Sequence, residues 1–149
     1  IEPAQAARDV GRDLSALYYP FLDVREAHHG ASHKDGEEAY ERIARFHLSQ
    51  MAYLAQKLDA MPEGEGTVLD NSCVMWMSNM LSGTRHDDEK LPIVTAGGLS
   101  GTLQTGRVLN YLDAGNENRK VCRLYLGIMD RMGAKLDSFG DADNRLANL

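Results

Sequence analysis

The stretch SCVMWM at residues 72–77, together with PIVTA at residues 92–96, decides the fold class of this chain. Both runs are short and continuously apolar, which is typical of buried strands. Continuous rather than alternating hydrophobicity favours strands that are covered on both faces. A third and weaker strand is predicted at residues 107–111.

Two longer amphipathic segments flank these strands. In residues 37–61 apolar side chains recur at three- and four-residue steps, which predicts a helix. A second helix is predicted at residues 117–132, with Asn116 as its N-cap and Gly133 as the left-handed residue after its end. A weaker helical pattern covers residues 4–18. The order helix, strand, strand, helix predicts an α/β fold in which two long amphipathic helices flank a layered sheet of few strands.

Length and composition indicate one soluble globular domain. The chain has 149 residues, of which 43% are hydrophobic and 26% charged, and this suits a single core. Its 16 basic and 22 acidic residues give a net charge of −6, which does not suit nucleic acid or an anionic bilayer. No apolar run approaches the ~20 residues of a membrane span. Cys73 and Cys122 are read as buried free thiols, and a disulfide between them stays open.

The stretch EAHHGASHK at residues 26–34 contains three of the five histidines. Imidazole is the commonest metal ligand in proteins and titrates near neutral pH. His29 and His33 are therefore candidate metal ligands, and the alternative interpretation is a solvated loop or a histidine that caps the next helix. His47 lies on the apolar side of its helix, so we expect it to be packed in the core.

A second polar loop follows the first strand, at residues 78–90. Ligands often bind in loops beyond strand ends in α/β proteins. Arg85 could hold an anionic oxygen with both of its terminal nitrogens. His86 with Asp87 or Asp88 could complete the shell of zinc or a similar divalent ion. The alternative is a hydrophilic connector without a ligand.

Two further features favour structural roles. The glycine-rich stretch GGLSG at residues 97–101 lacks the Lys-Ser/Thr of a P-loop, so a turn that needs positive φ is the better interpretation. Ser32 precedes His33 directly, and neighbouring residues rarely point at each other. A Ser–His nucleophile pair is therefore not predicted.

Several motifs resemble the bacterial HXXSHH family, a secreted group of unknown function. HGASHK at residues 29–34 is similar to its HxxSHH signature, and the similarity extends from about Tyr19 to the C-terminus. The other similar blocks are PEGEGTVLDNS at 62–72, RH at 85–86 with LPIVTAGG at 91–98, and DRMG at 130–133 with FGD at 139–141. Two positions depart from the family pattern: Lys34 replaces the last histidine of the signature, and Asp88 stands where members often have another histidine.

This resemblance implies that residues 1–149 form the C-terminal part of a longer protein with a larger α/β fold, exported to the periplasm or the cell exterior. The strand and loop layout also resembles, more distantly, the metal-binding half of alkaline-phosphatase-type hydrolases. The leading hypothesis is an extracytoplasmic metal-dependent hydrolase-like domain that acts on a phosphate or sulfate ester. In it, Arg85 steadies the anion and Ser32 orients a histidine, and one or two divalent ions, with zinc the first choice, are held by His29, His33 and His86 with Asp87 or Asp88.

The rival hypothesis is a non-catalytic structural or interaction module of an exported assembly, built around a hydrogen-bonded centre of histidines and aspartates. Its partner would be another exported protein rather than a small anionic substrate. The two hypotheses differ in geometry, because the enzyme needs the imidazoles of both loops to converge on one place.

Overall fold

The computed structural model describes residues 18–34 and 38–149, and the fold is mixed α/β, as predicted. The helix predicted at residues 4–18 falls outside the described residues except for its last position, which lies in a strand. The elements in chain order are β1 (Tyr18–Tyr19), β2 (Val24–Ala27), α1 (His28–Ser32), α2 (Glu38–Asp59), β3 (Pro62–Glu63), β4 (Gly66–Thr67), β5 (Val74–Met77), β6 (Ile93–Ala96) and α3 (Val121–Arg131).

The described strands form three separate antiparallel ribbons, β1–β2, β3–β4 and β5–β6. The strands predicted at residues 72–77 and 92–96 are confirmed as β5 and β6, which pair from Val74 with Ala96 to Met77 with Ile93. The expectation that both faces are covered is wrong, because all of β5 is only half-buried and the middle of β6 is exposed. A ribbon of two strands is too narrow for full coverage of both faces.

The strand predicted at residues 107–111 is also wrong. Within the described residues this segment belongs to no ladder or bridge, and the Val108 side chain is 93% exposed. Its composition suits a strand, but it forms no backbone pairing with another strand there.

The long helix predicted at residues 37–61 is confirmed as α2. Exposed ion pairs one turn apart, Glu38 with Arg42 and Glu41 with Arg45, lie along its first turns. Its buried side, at Ile43, packs with residues of β1, β2 and α1 in one small core formed by Tyr19, Val24, Ala31 and Ile43. This core fixes α1, and the histidines that it contains, against α2.

The second predicted helix is confirmed in type but begins later than expected. Residues 116–119 form a 3-10 turn, and Lys120 is the N-cap of α3. The prediction of Asn116 as the N-cap is wrong, because its side-chain oxygen accepts hydrogen bonds from Arg119 instead. Gly133 does have positive φ, at 86°, and follows the helix end as predicted. No helix in the described ranges is long and apolar enough to cross a bilayer.

The predicted turn at residues 97–101 is confirmed as a structural feature. Gly97 has φ of 101°, and the Leu99 and Ser100 amides donate to the carbonyl oxygens of Ser72 and Asp70. Since these N–H groups are already bonded within the chain, the loop does not offer them to a phosphate.

The C-terminal segment is attached to α3 by an ion pair in which Arg145 donates two hydrogen bonds to the Asp130 carboxylate, at 2.7 and 2.9 Å. The Arg145 guanidinium holds the pKa of the Asp130 carboxyl below its usual value of 3.8. A carboxyl whose pKa is lower in the folded state stabilises the fold above its unfolded pKa. This contribution is lost as the pH falls through the folded pKa.

We therefore expect the free energy of unfolding to decrease as the pH falls below about 4, and Asp130→Asn to remove part of that decrease. Chemical denaturation of both proteins at neutral pH and at about pH 3 measures the difference. The exposed Asp59→Asn substitution is the control. Identical acid dependence in Asp130→Asn and the native protein would contradict this role.

Candidate histidine site

The short helix α1 places two histidines on one face. His29 and His33 are four residues apart, and the His33 amide closes the last turn on the carbonyl oxygens of His29 and Gly30. Their Nε2 atoms lie 3.1 Å apart. Without a metal, this distance requires one ring to donate its N–H and the other to accept it.

The third imidazole comes from the loop between β5 and β6. Ser82 and Asp87 form an isolated bridge, in which the Leu81 amide donates to the Asp87 carbonyl and the Asp87 amide donates to the Ser82 carbonyl. This tight turn holds His86 at φ of 51°, a left-handed conformation that histidine adopts more often than most residues. The His86 ring lies edge-on to that of His33, with centroids 5.1 Å apart.

The two histidine-bearing segments are in direct contact. A Cβ atom on Gly83 would lie 2.7 Å from the Ser32 carbonyl carbon and would overlap the carbonyl oxygen. The Thr84 hydroxyl donates a hydrogen bond to the His33 carbonyl. Gly83 is therefore required for this close approach, which no pattern in the sequence predicted.

The expected convergence of His29, His33 and His86 is thus present, whereas the other predicted residues have different partners. Ser32 donates its hydroxyl to the backbone carbonyl of His29 at 2.8 Å and not to a histidine ring, so its predicted role of orienting an imidazole stays a prediction. The Arg85 guanidinium is 69% exposed and lies 3.7 Å from the Asp87 carboxylate.

Neither of the two predicted carboxylates, Asp87 and Asp88, is hydrogen bonded to an imidazole within the described residues. Asp87 accepts a hydrogen bond from the Glu89 amide at 3.0 Å, in addition to its contact with Arg85. Asp88 is exposed and lines a cleft next to β6 and α3.

The histidine pair fits one part of a metal site. Ligand nitrogens at about 2.0–2.1 Å from a tetrahedral zinc ion are about 3.3 Å apart. The 3.1 Å between the Nε2 atoms of His29 and His33 is close to this value. Within residues 18–34 and 38–149, however, no group of three or more His, Cys, Asp or Glu side chains has the geometry of a metal site. The His86 ring would have to turn toward the pair to serve as a third ligand.

A second histidine cluster is centred on the buried Tyr19. The Tyr19 hydroxyl is 3.1 Å from His28 Nδ1 and 3.1 Å from His47 Nε2. One hydroxyl hydrogen serves one ring, so the other ring must donate to the oxygen. Burial and the neighbouring imidazoles of His47 and His29 lower the pKa of His28, and burial raises the pKa of Tyr19.

His47 is expected in the core, but it is only half-buried and packs against the core residue Tyr19. The tyrosine that connects the two histidines was missed. Tyr19 and His47 are 28 residues apart, and no spacing rule relates them.

We expect Tyr19→Phe to destabilise the protein by about 1–3 kcal/mol, because it leaves two partly buried imidazoles without their partner. Urea denaturation followed by circular dichroism measures this change. Tyr53→Phe is the matched control, since Tyr53 is 58% exposed on α2 and should change stability by less than about 0.5 kcal/mol. Equal stability of the two variants would show that the Tyr19 hydroxyl contributes nothing.

The two cysteines do not contribute to the histidine site. Both are free thiols, as predicted, but they are half-buried and not fully buried, and burial raises the pKa of the Cys73 thiol. A raised pKa disfavours the thiolate, which is the nucleophilic and metal-binding form.

Comparison with known proteins adds nothing to this geometry. No protein-family profile, curated protein or solved structure matches the chain. The resemblance to the HXXSHH family therefore stays a prediction based on the motifs quoted above, and function has to be argued from the residues themselves.

Proposed function

We propose that the protein binds a divalent metal ion through His29, His33 and His86 and acts as a metal-dependent hydrolase-like domain on a phosphate or sulfate ester. The observation that supports this most directly is the 3.1 Å separation of the two Nε2 atoms on α1, with a third imidazole beside them on a separate loop. Three imidazoles of this kind suit zinc or a similar ion.

A bound ion would lower the pKa of a coordinated water and polarise an ester oxygen. Residues of the chain would position the metal ligands and the ester. Gly83 and Thr84 hold the His86 loop against α1, so that its imidazole stays beside the helical pair. The exposed Arg85 guanidinium is next to His86 in the chain and can hold the negative oxygens of the ester.

A carboxylate from the same loop is the candidate for a further ligand. Asp87 would have to exchange its contact with Arg85 for one with the ion. This exchange would also free the guanidinium for an anionic substrate. Asp88 is exposed and lines the cleft beside the loop, so Asp87 is the favoured candidate of the two.

The test is hydrolysis of p-nitrophenyl phosphate and p-nitrophenyl sulfate by the chelator-treated protein, before and after zinc is added. We expect zinc-dependent turnover that is lost in His86→Ala and has a higher KM in Arg85→Gln. Arg25→Gln is the matched control, because Arg25 is 92% exposed outside the site. Absence of zinc-dependent turnover of either ester would contradict the hydrolase proposal.

The second candidate function is a non-catalytic interaction module. It is favoured by the exposure of the cluster and by the direct hydrogen bond between His29 and His33, which is satisfied without a ligand. The Ser32 hydroxyl is bonded to the His29 backbone carbonyl and not to an imidazole. Stoichiometric zinc binding without turnover of either ester would favour this function.

Membership of the HXXSHH family, export from the cytoplasm and partnership with another exported protein belong to the same proposal. They are supported by the ordered motifs that begin near Tyr19 and include HGASHK at residues 29–34. Cell fractionation of the protein expressed from its complete gene tests export. Recovery in the cytoplasm alone would contradict it.

A further inference from the structure

A cleft of about 1110 Å³ is lined by residues of the loop that contains His86, of the β5–β6 ribbon, of α3 and of the segment 103–112. Its floor includes the buried Leu103 and Leu124. The histidines of the proposed metal site do not line it. Its function is therefore a separate question from that of the metal site.

One wall of the cleft is formed by strand β6. The consecutive residues Ile93, Val94 and Thr95 all line the cleft, although their side chains alternate between the two faces of the ribbon. The cleft therefore runs along the edge of the strand. In an antiparallel pair only alternate residues bond inward to the neighbouring strand, so the others direct N–H and C=O groups outward. Within the described chain, the β6 backbone makes no hydrogen bond outside its pairing with β5.

Residues 107–111, Arg-Val-Leu-Asn-Tyr, also line the cleft. Its composition predicts a strand, yet it belongs to no ladder in the described chain. Val108 and Leu112 are 93% and 54% exposed. The cleft is thus lined by an open strand edge and by exposed apolar side chains of an unpaired segment.

We propose that this cleft binds an extended peptide segment of a partner protein, which adds to the edge of β6 as a third strand. Open strand edges are templates for such pairing, in which the main chain supplies affinity and side-chain pockets supply specificity. A small apolar ligand would fill the gap but would leave the row of backbone groups unpaired. The favoured partner segment has β-branched or aromatic residues at alternate positions and no central proline.

The probe is the acetylated and amidated hexapeptide Thr-Val-Thr-Ile-Thr-Val, compared with an analogue that is N-methylated at alternate peptide groups. N-methylation removes backbone donors and keeps the apolar side chains. We expect saturable binding of the parent by calorimetry, at least tenfold weaker binding of the analogue, and slower amide hydrogen exchange in Ile93–Ala96. Equal affinity for the two peptides, or no binding of the parent, would overturn strand addition.

Two surface variants test whether the peptide binds at the edge of β6. Val94→Lys places a charge on the exposed edge and should weaken binding at least tenfold. Leu54→Lys is the matched control, because Leu54 on α2 has nearly the same exposure, 45% against 43%, and lies outside the cleft. If the protein without peptide is a dimer that Val94→Lys dissociates, a second copy occupies the edge and the proposal of a partner peptide is overturned.

Discussion

Gly83→Ala should separate the two histidine-bearing segments. The new methyl group would overlap the Ser32 carbonyl on α1, and neither backbone can give way without moving the turn that contains His86. We expect a loss of about 1–3 kcal/mol in the free energy of unfolding, the usual cost of overpacking a close contact. The His86 imidazole should also move away from His33, which would remove the third proposed metal ligand. Denaturation and zinc affinity measure the two effects separately.

Gly30→Ala is the matched control, because it adds the same methyl group to the other segment. A Cβ atom there would meet only the Glu26 carboxylate, at 3.8 Å, and Gly30 lies within α1. Replacing a helical glycine by alanine should leave stability unchanged or raise it by up to about 1 kcal/mol. If Gly83→Ala and Gly30→Ala had the same stability and zinc affinity, the contact between the segments would not hold the site together.

His33→Ala should weaken metal binding more than Gly83→Ala does. His33 lies between the other two imidazoles, 3.1 Å from His29 by Nε2 and 5.1 Å from His86 by ring centroid. Loss of residues that only orient a ligand costs about 10–100-fold in metal affinity. Removal of a central ligand should cost at least about 100-fold, which competition with a chromophoric zinc chelator can measure.

The control for this prediction is His47→Gln. His47 belongs to the Tyr19 cluster, and a glutamine amide can still hydrogen bond to the tyrosine hydroxyl. Zinc affinity should therefore be unchanged. Equal losses in His33→Ala and His47→Gln would indicate a general effect on the fold and not a ligand.

The sequence predicted the elements better than their arrangement. The apolar runs and periodic segments located β5, β6, α2 and α3, because local hydrophobic patterns report which residues must be buried. The failed strand at residues 107–111 has the right composition. A strand also needs to be paired with a neighbouring edge, however, and that pairing depends on contacts between residues distant in the chain.

The same distinction applies to the candidate site. Residue type and clustering identified His29, His33 and His86, because imidazoles are rare and their chemistry is specific. The contact that brings their segments together depends on Gly83, and nothing local distinguishes it from any other turn glycine. The carboxylates of Asp87 and Asp88 were expected in the metal shell because of their nearness in sequence. The Asp87 carboxylate instead contacts the Glu89 amide and the Arg85 guanidinium, and Asp88 lines the cleft.

The proposed site requires one ion that binds imidazoles from two separate segments. Imidazole nitrogen NMR spectra, recorded while zinc is added to the chelator-treated protein, test this directly. We predict saturation at one ion per chain, with large shifts of the coordinating nitrogens of His29, His33 and His86 and little change at His28 and His47. Failure to saturate, or shifts confined to the Tyr19 cluster, would contradict the proposed site.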